Sequence, residues 1–371
     1  MDIDRIEAEL VRLRYDAAGG TGEGDTFAIR TSLLNLVVFA TDDRAAREAE
    51  QVVAGLPSHH PSRAIVAVSN PSAARSRIDA QLAAHCHISP GLQQQVCCEQ
   101  ITLRVNGRVA HHLHSIIVPL LVSDLPVYVW WTGEIPRNAH ILEEMIGSAD
   151  RFIADSARFA QAEEGLEALA ELCQHRPRFG VGDLNWGRLI PWRRLLAQQC
   201  DMPDLRRRLE PITAVDICSS RGGRKSPSSQ ALLLAGWLAR QFDWEPPKRP
   251  AQRSGDGLTM LSSSGPISVS FGSQKGCPGV RPGWVSTVRL EGGKQGRTVL
   301  TIARTENAQH MTLRLDDDGQ VEEDRVRVEI GDDGETLAQE LDAQRHDAEY
   351  EQALRRALLL LGANSQTTRK S

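Results

Sequence analysis

Apolar residues in the first 155 positions form two patterns that alternate along the chain. The run Leu33 to Ala40 is almost wholly apolar, which is typical of a parallel strand covered on both faces. Thr41-Asp42-Asp43 can then cap a helix that extends to about Leu56, and a second strand is expected at Arg63 to Val68. A strand, a helix and a strand in this order form a right-handed βαβ unit.

The alternation of strands and helices continues to about residue 155. A short N-terminal helix is expected from apolar residues at helical spacing: Ile3, Ile6, Leu10 and Leu13. Further strands are expected at Val96 to Val105, Val127 to Trp131 and Arg151 to Ala154, with helices at Ile116 to Val122 and Ala139 to Met145. The pattern predicts a doubly wound, mostly parallel, Rossmann-like α/β domain over residues 31–157. Residues 1–30 are expected to form the helix and a flexible loop.

The second half of the chain has a different pattern, with short β-type runs separated by Gly, Asp and Asn. Helices are expected at Ala160 to Cys173, Trp186 to Gln199, Ala231 to Phe242 and Glu335 to Leu361. Strands are expected at Pro211 to Cys218, Ile267 to Phe271, Trp284 to Leu290, Thr298 to Ala303, Met311 to Leu315 and Val326 to Ile330. Residues 158–371 are therefore predicted to form an α+β domain with an antiparallel sheet.

Composition places the chain among ordinary globular proteins. It has 371 residues, of which 41% are hydrophobic and 25% charged, enough for two or three domains and not typical of a disordered chain. Seven cysteines and an acidic N-terminus, Met1 to Arg5, predict a cytoplasmic protein with reduced thiols. The apolar run Ile116 to Val122 is far shorter than the ~20 residues that cross a bilayer, so no membrane partner is expected.

Charge is segregated along the second half, although the net charge of the whole chain is only −5. Arg176 to Arg253 carries a net charge of +8, and Glu306 to Glu351 carries −12. One interpretation is that the acidic residues occupy solvated turns and helix faces. The other is that the two segments steer a charged partner or dock on each other. Nucleic-acid binding through the basic segment is not favoured, because the same chain carries the acidic one.

Two loops are candidates for phosphate binding. The glycines of Gly19 to Gly24 precede the first strand, whereas a dinucleotide loop must follow a strand and open a helix. The loop that does follow the first strand has two carboxylates, Asp42 and Asp43, and we therefore expect no cofactor.

The better anion candidate is Ser219 to Ser226, between a predicted strand and a predicted helix, with Arg221, Arg224, Lys225 and Ser226 as possible ligands. It lacks the first glycine of a P-loop, and an exposed basic loop is the alternative interpretation.

Patterns for metal binding and catalysis are weak. The segments His85-Cys86-His87, Cys97-Cys98 and His111-His112-x-His114 do not have the spacing of zinc ligands, and Cys97 and Cys98 do not predict an easy disulfide. No GxSxG turn and no distinctive pair of carboxylates is present in the sequence. We therefore expect no metal site and name no catalytic residue.

The most distinctive segment extends from Val118 to Pro136. Trp130 and Trp131 are adjacent on one predicted strand, so their side chains must lie on opposite faces of the sheet. Aromatic residues of this kind are enriched at protein interfaces. Partner binding is therefore predicted for four residues: Asp124, Tyr128, Trp130 and Trp131. The alternative is core packing for the aromatic side chains and helix capping for Asp124.

The same segment resembles a known family. Pro119-Leu120-Leu121-Val122-Ser123-Asp124-Leu125-Pro126-Val127, followed by Trp130-Trp131, is similar to the signature of the glucose-6-phosphate dehydrogenase assembly protein family, OpcA. Three further segments fit in matching order: Asn35 to Val38, His60 to Ile65 and Ala231 to Ala239. The resemblance covers roughly residues 30 to 360.

This resemblance implies an α/β N-terminal domain, a distinct C-terminal domain and no enzymatic activity. The chain would be a subunit that binds glucose-6-phosphate dehydrogenase and promotes its assembly or activation. Thiol-based control, which is linked to cyanobacterial members, is not implied here, because the seven cysteines show no matching pairing. The alternative from the residues is a sugar-phosphate or nucleotide-binding enzyme that uses the loop Ser219 to Ser226.

Overall fold

The computed structural model describes residues 2–17, 32–56, 60–88, 95–136, 140–175, 179–220, 226–247, 258–274, 280–307, 309–343 and 346–368. It divides into two compact units, each built from three separate segments. Unit 1 comprises Met1–Arg158, His175–Leu184 and Asp332–His346; unit 2 comprises Phe159–Gln174, Asn185–Gly331 and Asp347–Ser371. The domain boundaries expected from the sequence, at residues 31 and 158, stay predictions. The glycines of Gly19 to Gly24 lie outside the described residues.

Unit 1 contains a seven-stranded sheet with the order β3-β4-β2-β1-β5-β6-β7. All neighbouring strands are parallel except β3 and β4. The strands are β1 (Leu34–Ala40), β2 (Ser62–Asn70), β3 (Arg77–Ile88), β4 (Gln95–Asn106), β5 (Val127–Trp131), β6 (Arg151–Ala154) and β7 (Gly180–Asp183). The helices are α1 (Ile3–Ala17), α2 (Asp43–Ala54), α3 (Leu113–Ile117), α4 (His140–Ser148) and α10 (Asp333–Asp342). The predicted Rossmann-like α/β class is confirmed.

Strand β1 lies in the middle of this sheet, and all seven of its residues are buried. One face is covered by α2 together with α10, whose apolar residues Leu337, Ala338 and Leu341 join the same core cluster. Two polar side-chain contacts also hold α10 within unit 1. Arg151 Nη2 donates to Glu340 Oε2 at 2.6 Å, and His60 Nε2 lies 2.8 Å from Asp342 Oδ1. A helix from far along the chain therefore completes the core of unit 1.

Helix α1 is fastened to unit 1 by the buried guanidinium of Arg63, which is 1% exposed. Arg63 Nε donates to Glu99 Oε2 at 2.7 Å, and its Nη1 and Nη2 atoms donate to the carboxylate of Glu7 on α1. Burial acts to lower the pKa of Arg63, but the two carboxylates outweigh burial and raise that pKa. The guanidinium is therefore charged, and removing either carboxylate would leave a buried charge poorly compensated.

Unit 2 contains a second seven-stranded sheet, with the order β14-β13-β12-β11-β8-β10-β9. Only β8 and β10 are parallel, so the predicted antiparallel α+β class is confirmed. The strands are β8 (Ile212–Ser220), β9 (Leu258–Ser262), β10 (Gly265–Gln274), β11 (Val285–Gly292), β12 (Thr298–Arg304), β13 (His310–Asp317) and β14 (Gln320–Arg327). The helices are α5 (Ala162–His175), α6 (Leu184–Gly187), α7 (Ile190–Cys200), α8 (Pro203–Leu209), α9 (Ser229–Gln241) and α11 (Ala348–Thr368).

The prediction of one helix from Glu335 to Leu361 is wrong, because the structure has two helices, α10 and α11, in this part of the chain. Helix α10 ends at Asp342, and a new helix begins after Asp347, whose Oδ1 atom accepts from the backbone N–H of Tyr350 at 2.9 Å. This cap satisfies a free backbone donor of the new helix. The apolar positions of α10 belong to unit 1, whereas α11 packs on α9 in unit 2. The apolar residues of α10 and those of α11 therefore belong to the cores of different units.

Other predicted elements need smaller corrections. The strand expected at Val326 to Ile330 is β14, which ends at Arg327. The helix expected at Ile116 to Val122 is α3, followed by a 3₁₀ segment at Val118–Leu120. The helix expected at Trp186 to Gln199 is divided into α6 and α7, and Pro191 lies in the first turn of α7. Three strands, β3, β7 and β9, were not predicted, because their sequences lack a run of apolar residues.

The expectation of reduced thiols is also corrected, since Cys86 and Cys97 form a disulfide. These residues are direct neighbours across the antiparallel pair β3 and β4. The sequence predicted no easy disulfide at Cys97 because Cys98 is adjacent to it. The partner is instead Cys86 on a strand that was not predicted, and antiparallel pairing brings the two side chains together.

Two ion pairs within unit 2 join the basic segment, Arg176 to Arg253, to the acidic segment, Glu306 to Glu351. Arg208 on α8 donates to Asp317 on β13 at 3.3 Å, and Arg193 on α7 donates to Glu349 on α11 at 2.8 Å. Part of the charge segregation therefore stabilises unit 2 itself, as expected if the two segments dock on each other. Among the described residues, no helix is long and apolar enough to cross a membrane.

We expect Gly236→Ala to lower the free energy of unfolding by about 1 to 3 kcal/mol, because α9 and α11 are in backbone contact at this residue. A Cβ atom at Gly236 would lie 2.1 Å from the carbonyl oxygen of Ala353. The matched control is Gly147→Ala on α4, where a Cβ atom would have no neighbour within 4 Å. That control should stabilise by up to about 1 kcal/mol. Urea unfolding of both variants checks this, and equal effects would contradict the backbone contact.

Candidate functional site

The signature segment from Val118 to Val127 is held in place by two buried polar side chains of unit 1. Asn35 on β1 is fully buried, and its Nδ2 atom donates to the carbonyl oxygen of Val122 at 3.0 Å while its Oδ1 atom accepts from the N–H of Val122 at 2.8 Å. Arg63 Nη1 donates to the carbonyl oxygen of Leu120 at 3.1 Å. The two family-like segments that contain Asn35 and Arg63 therefore both contact the third, the segment from Val118 to Val127.

The segment presents a short exposed surface. Its exposed residues are Val118, Pro119, Ser123, Asp124 and Pro126, while Leu120 is buried beneath them. Asp124 has a φ of 64°, in the left-handed region that Asp and Asn tolerate better than most residues. Asp124 is thus a turn residue between the 3₁₀ segment and β5. Because the backbone on either side is fixed, this surface is ordered before any partner binds.

The two adjacent tryptophans have different environments, as the alternation of a strand requires. Trp130 is 3% exposed and belongs to the core cluster that α2 and α10 cover. Trp131 is half-buried on the other face, stacked on Phe39 of β1 with ring centroids 5.0 Å apart. Its Nε1 atom donates to the carbonyl oxygen of Glu134 at 2.7 Å. Only Trp131 of the pair offers accessible surface, and Tyr128 is half-buried beside the same core as Trp130.

The four residues predicted to bind a partner do not form one surface. Asp124 precedes β5, and Trp131 is the last residue of β5. Strand β5 is roughly 13 Å long at about 3.3 Å per residue, so these two residues lie near its opposite ends. A small partner segment would contact one of them, and a large interface would be needed to contact both.

The carboxyl ends of β1 and β5 form the place where an open α/β sheet usually binds a ligand, because the chain order reverses between them. Here the loops that follow the two strands touch. A Cβ atom at Gly133 would lie 2.2 Å from Thr41 Cγ2, and Thr132 Oγ1 donates to the carbonyl oxygen of Phe39 at 3.1 Å. The space between these strands is thus partly filled by the chain itself.

The N-terminus of α2, which follows β1, is capped by Asp42. Its carboxylate accepts from the backbone N–H groups of Arg44 and Ala45 at 2.9 and 2.8 Å. In phosphate-binding folds these donors would face the ligand, and here a carboxylate already occupies them. The cap expected from Thr41-Asp42-Asp43 is confirmed, with Asp42 as the capping residue.

Charged side chains near this helix are paired with each other. Arg104 donates to Asp43 at 2.7 Å, and Glu48 accepts from Arg44 at 3.0 Å and from Arg158 at 2.8 Å. The bond from Arg158 is the main reason why the pKa of Glu48 is lowered. Glu48 therefore stays ionised at neutral pH and acts as an ion-pair partner of two arginines.

Most of the predicted anion loop lies outside the described residues, including Arg221, Arg224 and Lys225. Ser226 is described and exposed, shortly before α9. On either side of the loop, Ser219 Oγ lies 3.0 Å from Ser228 Oγ, and Ser228 caps α9 by accepting from the N–H of Ala231 at 3.2 Å. The anion site at Arg221, Arg224, Lys225 and Ser226 stays a prediction.

Three free thiols are buried or half-buried, and the imidazole of His85 has a side-chain partner. Burial raises the pKa of Cys98, that of Cys173 to about 12 and that of Cys200 to about 11, so these thiols are poor nucleophiles at neutral pH. His85 Nε2 lies 3.1 Å from the amide oxygen of Gln100. Within the described ranges, no group of three or more His, Cys, Asp or Glu residues could hold a metal ion.

Sequence reasoning missed the residues that organise the site. Asn35, Arg63 and Phe39 all lie within apolar runs that were assigned to strands, and their roles depend on bonds to distant segments. The signal that could have found the first two is a polar side chain within a strand predicted to be covered on both faces. Such a side chain must have a bonding partner to be tolerated there.

Comparison with family models covers most of the chain. Residues 36–171 match the model described as the glucose-6-phosphate dehydrogenase subunit N-terminal domain, and residues 179–354 match the corresponding C-terminal domain. The chain belongs to the OpcA family. The resemblance of residues 119–131 to this family is therefore confirmed.

Curated relatives carry the same family name. The chain is 34% identical over 170 residues to an OxPP cycle protein OpcA of a Synechocystis strain, which covers 46% of this chain and 34% of the relative. It is 31% identical over 219 residues to the OpcA protein of Nostoc punctiforme, which covers 56% of this chain and 46% of the relative. The chain thus spans between a third and a half of the length of these relatives.

Solved structures with a similar fold are oxidoreductases. KijD10, a 3-ketoreductase from Actinomadura kijaniata in complex with TDP-benzene and NADP, has a TM-score of 0.51 at 12% identity, over 90% of this chain and 97% of that chain. A second KijD10 complex has a TM-score of 0.50 at 13% identity, over 89% and 96% of the two chains. At such low identity the similarity shows the fold alone.

We expect Trp130→Ala to lower the free energy of unfolding by about 3 to 5 kcal/mol, because it leaves a cavity under α2 and α10. Trp131→Ala, the matched variant on the next residue, removes a half-buried ring and should cost only about 1 to 2 kcal/mol. Chemical unfolding of both variants gives the comparison. A larger loss for Trp131→Ala would mean that the inward and outward faces of β5 have been assigned the wrong way round.

Proposed function

We propose that this protein is a non-catalytic subunit that binds glucose-6-phosphate dehydrogenase and promotes or stabilises its active oligomer. The observation that carries the proposal is the match of two consecutive family models, which together extend from residue 36 to residue 354. Both models are described as domains of a glucose-6-phosphate dehydrogenase subunit. In this proposal the partner is a protein, and neither a nucleic acid nor a membrane is required.

The geometry of unit 1 supports a role without a nucleotide cofactor. The fold neighbour KijD10 is described in complex with NADP, and Rossmann-like sheets bind such phosphates at the first helix N-terminus. In this chain the carboxylate of Asp42 accepts from the donors at that terminus. A phosphate placed there would lose these donors and meet a negative charge. We therefore propose that the scaffold serves protein binding and not hydride transfer.

Activation by a partner has a simple energetic requirement. The partner must bind the active state of the dehydrogenase more tightly than the inactive state. A tenfold shift of that equilibrium requires a difference of about 1.4 kcal/mol in binding free energy. An interface of ordinary size supplies more than this from a few well-packed side chains. No catalytic group of the accessory chain is needed.

The test is to mix the purified chain with the cognate glucose-6-phosphate dehydrogenase and to measure both complex formation and steady-state kinetics. We expect co-elution in size-exclusion chromatography and a higher kcat/KM or a shift to a larger active oligomer. As a control, a sample of the chain that has first been heat-denatured should give no activation. Absence of a complex together with unchanged kinetics would contradict the proposed function.

Two variants test which end of strand β5 lies at the contact with the dehydrogenase. Trp131→Ala and Asp124→Asn alter accessible residues at opposite ends of β5, and Asp16→Asn on α1 is an exposed control with the same charge change as Asp124→Asn. We expect one of the first two to weaken the complex by at least tenfold in Kd, about 1.4 kcal/mol, with the fold retained. If both bind like the control, residues 124 and 131 are not at the interface.

A further inference from the structure

Strand β14 forms one edge of the unit 2 sheet and is uncovered on both of its faces. Seven of its eight residues are exposed, and Val326 is half-buried. The opposite edge strand, β9, is partly paired, because the N–H of Glu245 donates to Leu261 O at 2.9 Å and Leu261 N–H donates back at 2.7 Å. Among the described residues, no segment makes such bonds to the outer side of β14.

The backbone groups on the outer side of β14 belong to alternate residues, because antiparallel strands exchange hydrogen bonds at every second pair. Just beyond β14, the N–H of Val328 donates to the carbonyl oxygen of Gln309 at 2.8 Å, and this pair continues the register of β13 and β14. The even-numbered residues of β14 therefore bond to β13. The backbone N–H and C=O groups that point to solvent are those of the odd-numbered residues: Val321, Glu323, Arg325 and Arg327.

The charge of the side chains changes sign along β14. Glu322, Glu323 and Asp324 are followed by Arg325 and Arg327, and in the described part of the chain none of these five side chains has an ion-pair or hydrogen-bond partner. Charged edge strands usually prevent pairing with another sheet. An antiparallel copy of β14 is an exception, because it brings the basic half of one strand against the acidic half of the other.

Symmetry limits the register of such a pair. A two-fold axis perpendicular to the sheet keeps every side chain on its own face, so odd-numbered residues must lie opposite odd-numbered residues. The register centred on Arg325 places Glu323 of each copy opposite Arg327 of the other. The two copies of Arg325 then form a hydrogen-bonded pair with Cα atoms ~5.5 Å apart, and their long side chains can diverge. The register centred on Asp324 is less favourable, because it places two short carboxylates opposite each other at ~4.5 Å between Cα atoms.

We propose that β14 pairs with β14 of a second copy of this chain, antiparallel and centred on Arg325, so that two unit 2 sheets join into one. The backbone groups that point to solvent supply the hydrogen bonds, and the two pairs of Glu323 with Arg327 fix the register. Because the contact is much smaller than the standard interface of about 1,600 Å², we expect a dissociation constant in the micromolar range. The proposal goes beyond the proposed function, since it concerns the chain without the dehydrogenase.

The test is sedimentation equilibrium of the full chain alone across the micromolar range, where we expect an equilibrium between one and two copies. Arg327→Glu should weaken the dimer about tenfold, because the two-fold axis repeats the new repulsion with Glu323 at two places. Glu323→Arg should weaken it similarly, and the double variant Glu323→Arg with Arg327→Glu should regain the affinity of the wild type. Arg47→Glu, at an exposed arginine of α2 in unit 1, is the control with the same charge change and should dimerise like the wild type.

Amide hydrogen exchange at low and high protein concentration gives a second measurement. The amides of Glu323, Arg325 and Arg327 should exchange more slowly in the concentrated sample, whereas those of Glu322 and Asp324, already bonded to β13, should exchange equally slowly in both. The proposal is overturned if the chain stays monomeric throughout the micromolar range, or if Arg327→Glu and Arg47→Glu dimerise equally. It is also overturned if the double variant, with an unchanged unfolding transition, fails to regain the dimer.

Discussion

The architecture of unit 1 depends on covering both faces of its central strand. Every residue of β1 is buried, so each face of the sheet must be packed against helices. On one face the local helix α2 is not enough, and α10 from the second half of the chain supplies Leu337, Ala338 and Leu341. The ion pair of Arg151 with Glu340 lies at the same contact. The position of Trp130, and hence the orientation of Trp131, follows from this packing.

Much of the fold could be predicted from the sequence where the hydrophobic pattern is strong. Strands β5 and β6 have the predicted bounds, because each is a short apolar run between clear turn residues. Strand β3 was missed because its apolar residues alternate with polar ones and form no continuous apolar run, and the disulfide between Cys86 and Cys97 was missed with it. The division between α10 and α11 was missed because both helices continue one apolar period. The cap at Asp347 marks the start of α11.

The candidate sites were predictable to different degrees. Opposite orientations of Trp130 and Trp131 follow from strand geometry alone, and the structure has them. The bonds of Asn35 and Arg63 to the segment from Val118 to Val127 link positions far apart in sequence, which no local pattern reveals.

The origin of α10 also affects how the protein is made. A ribosome synthesises the N-terminal segment of unit 1 first, and residues 333–342 emerge only after almost all of unit 2. Until then the apolar face that α10 covers has no permanent partner. The nascent chain must therefore keep this surface from aggregating during synthesis, which is a task that chaperones perform. The core of unit 1 is consequently completed only after most of unit 2 has been synthesised.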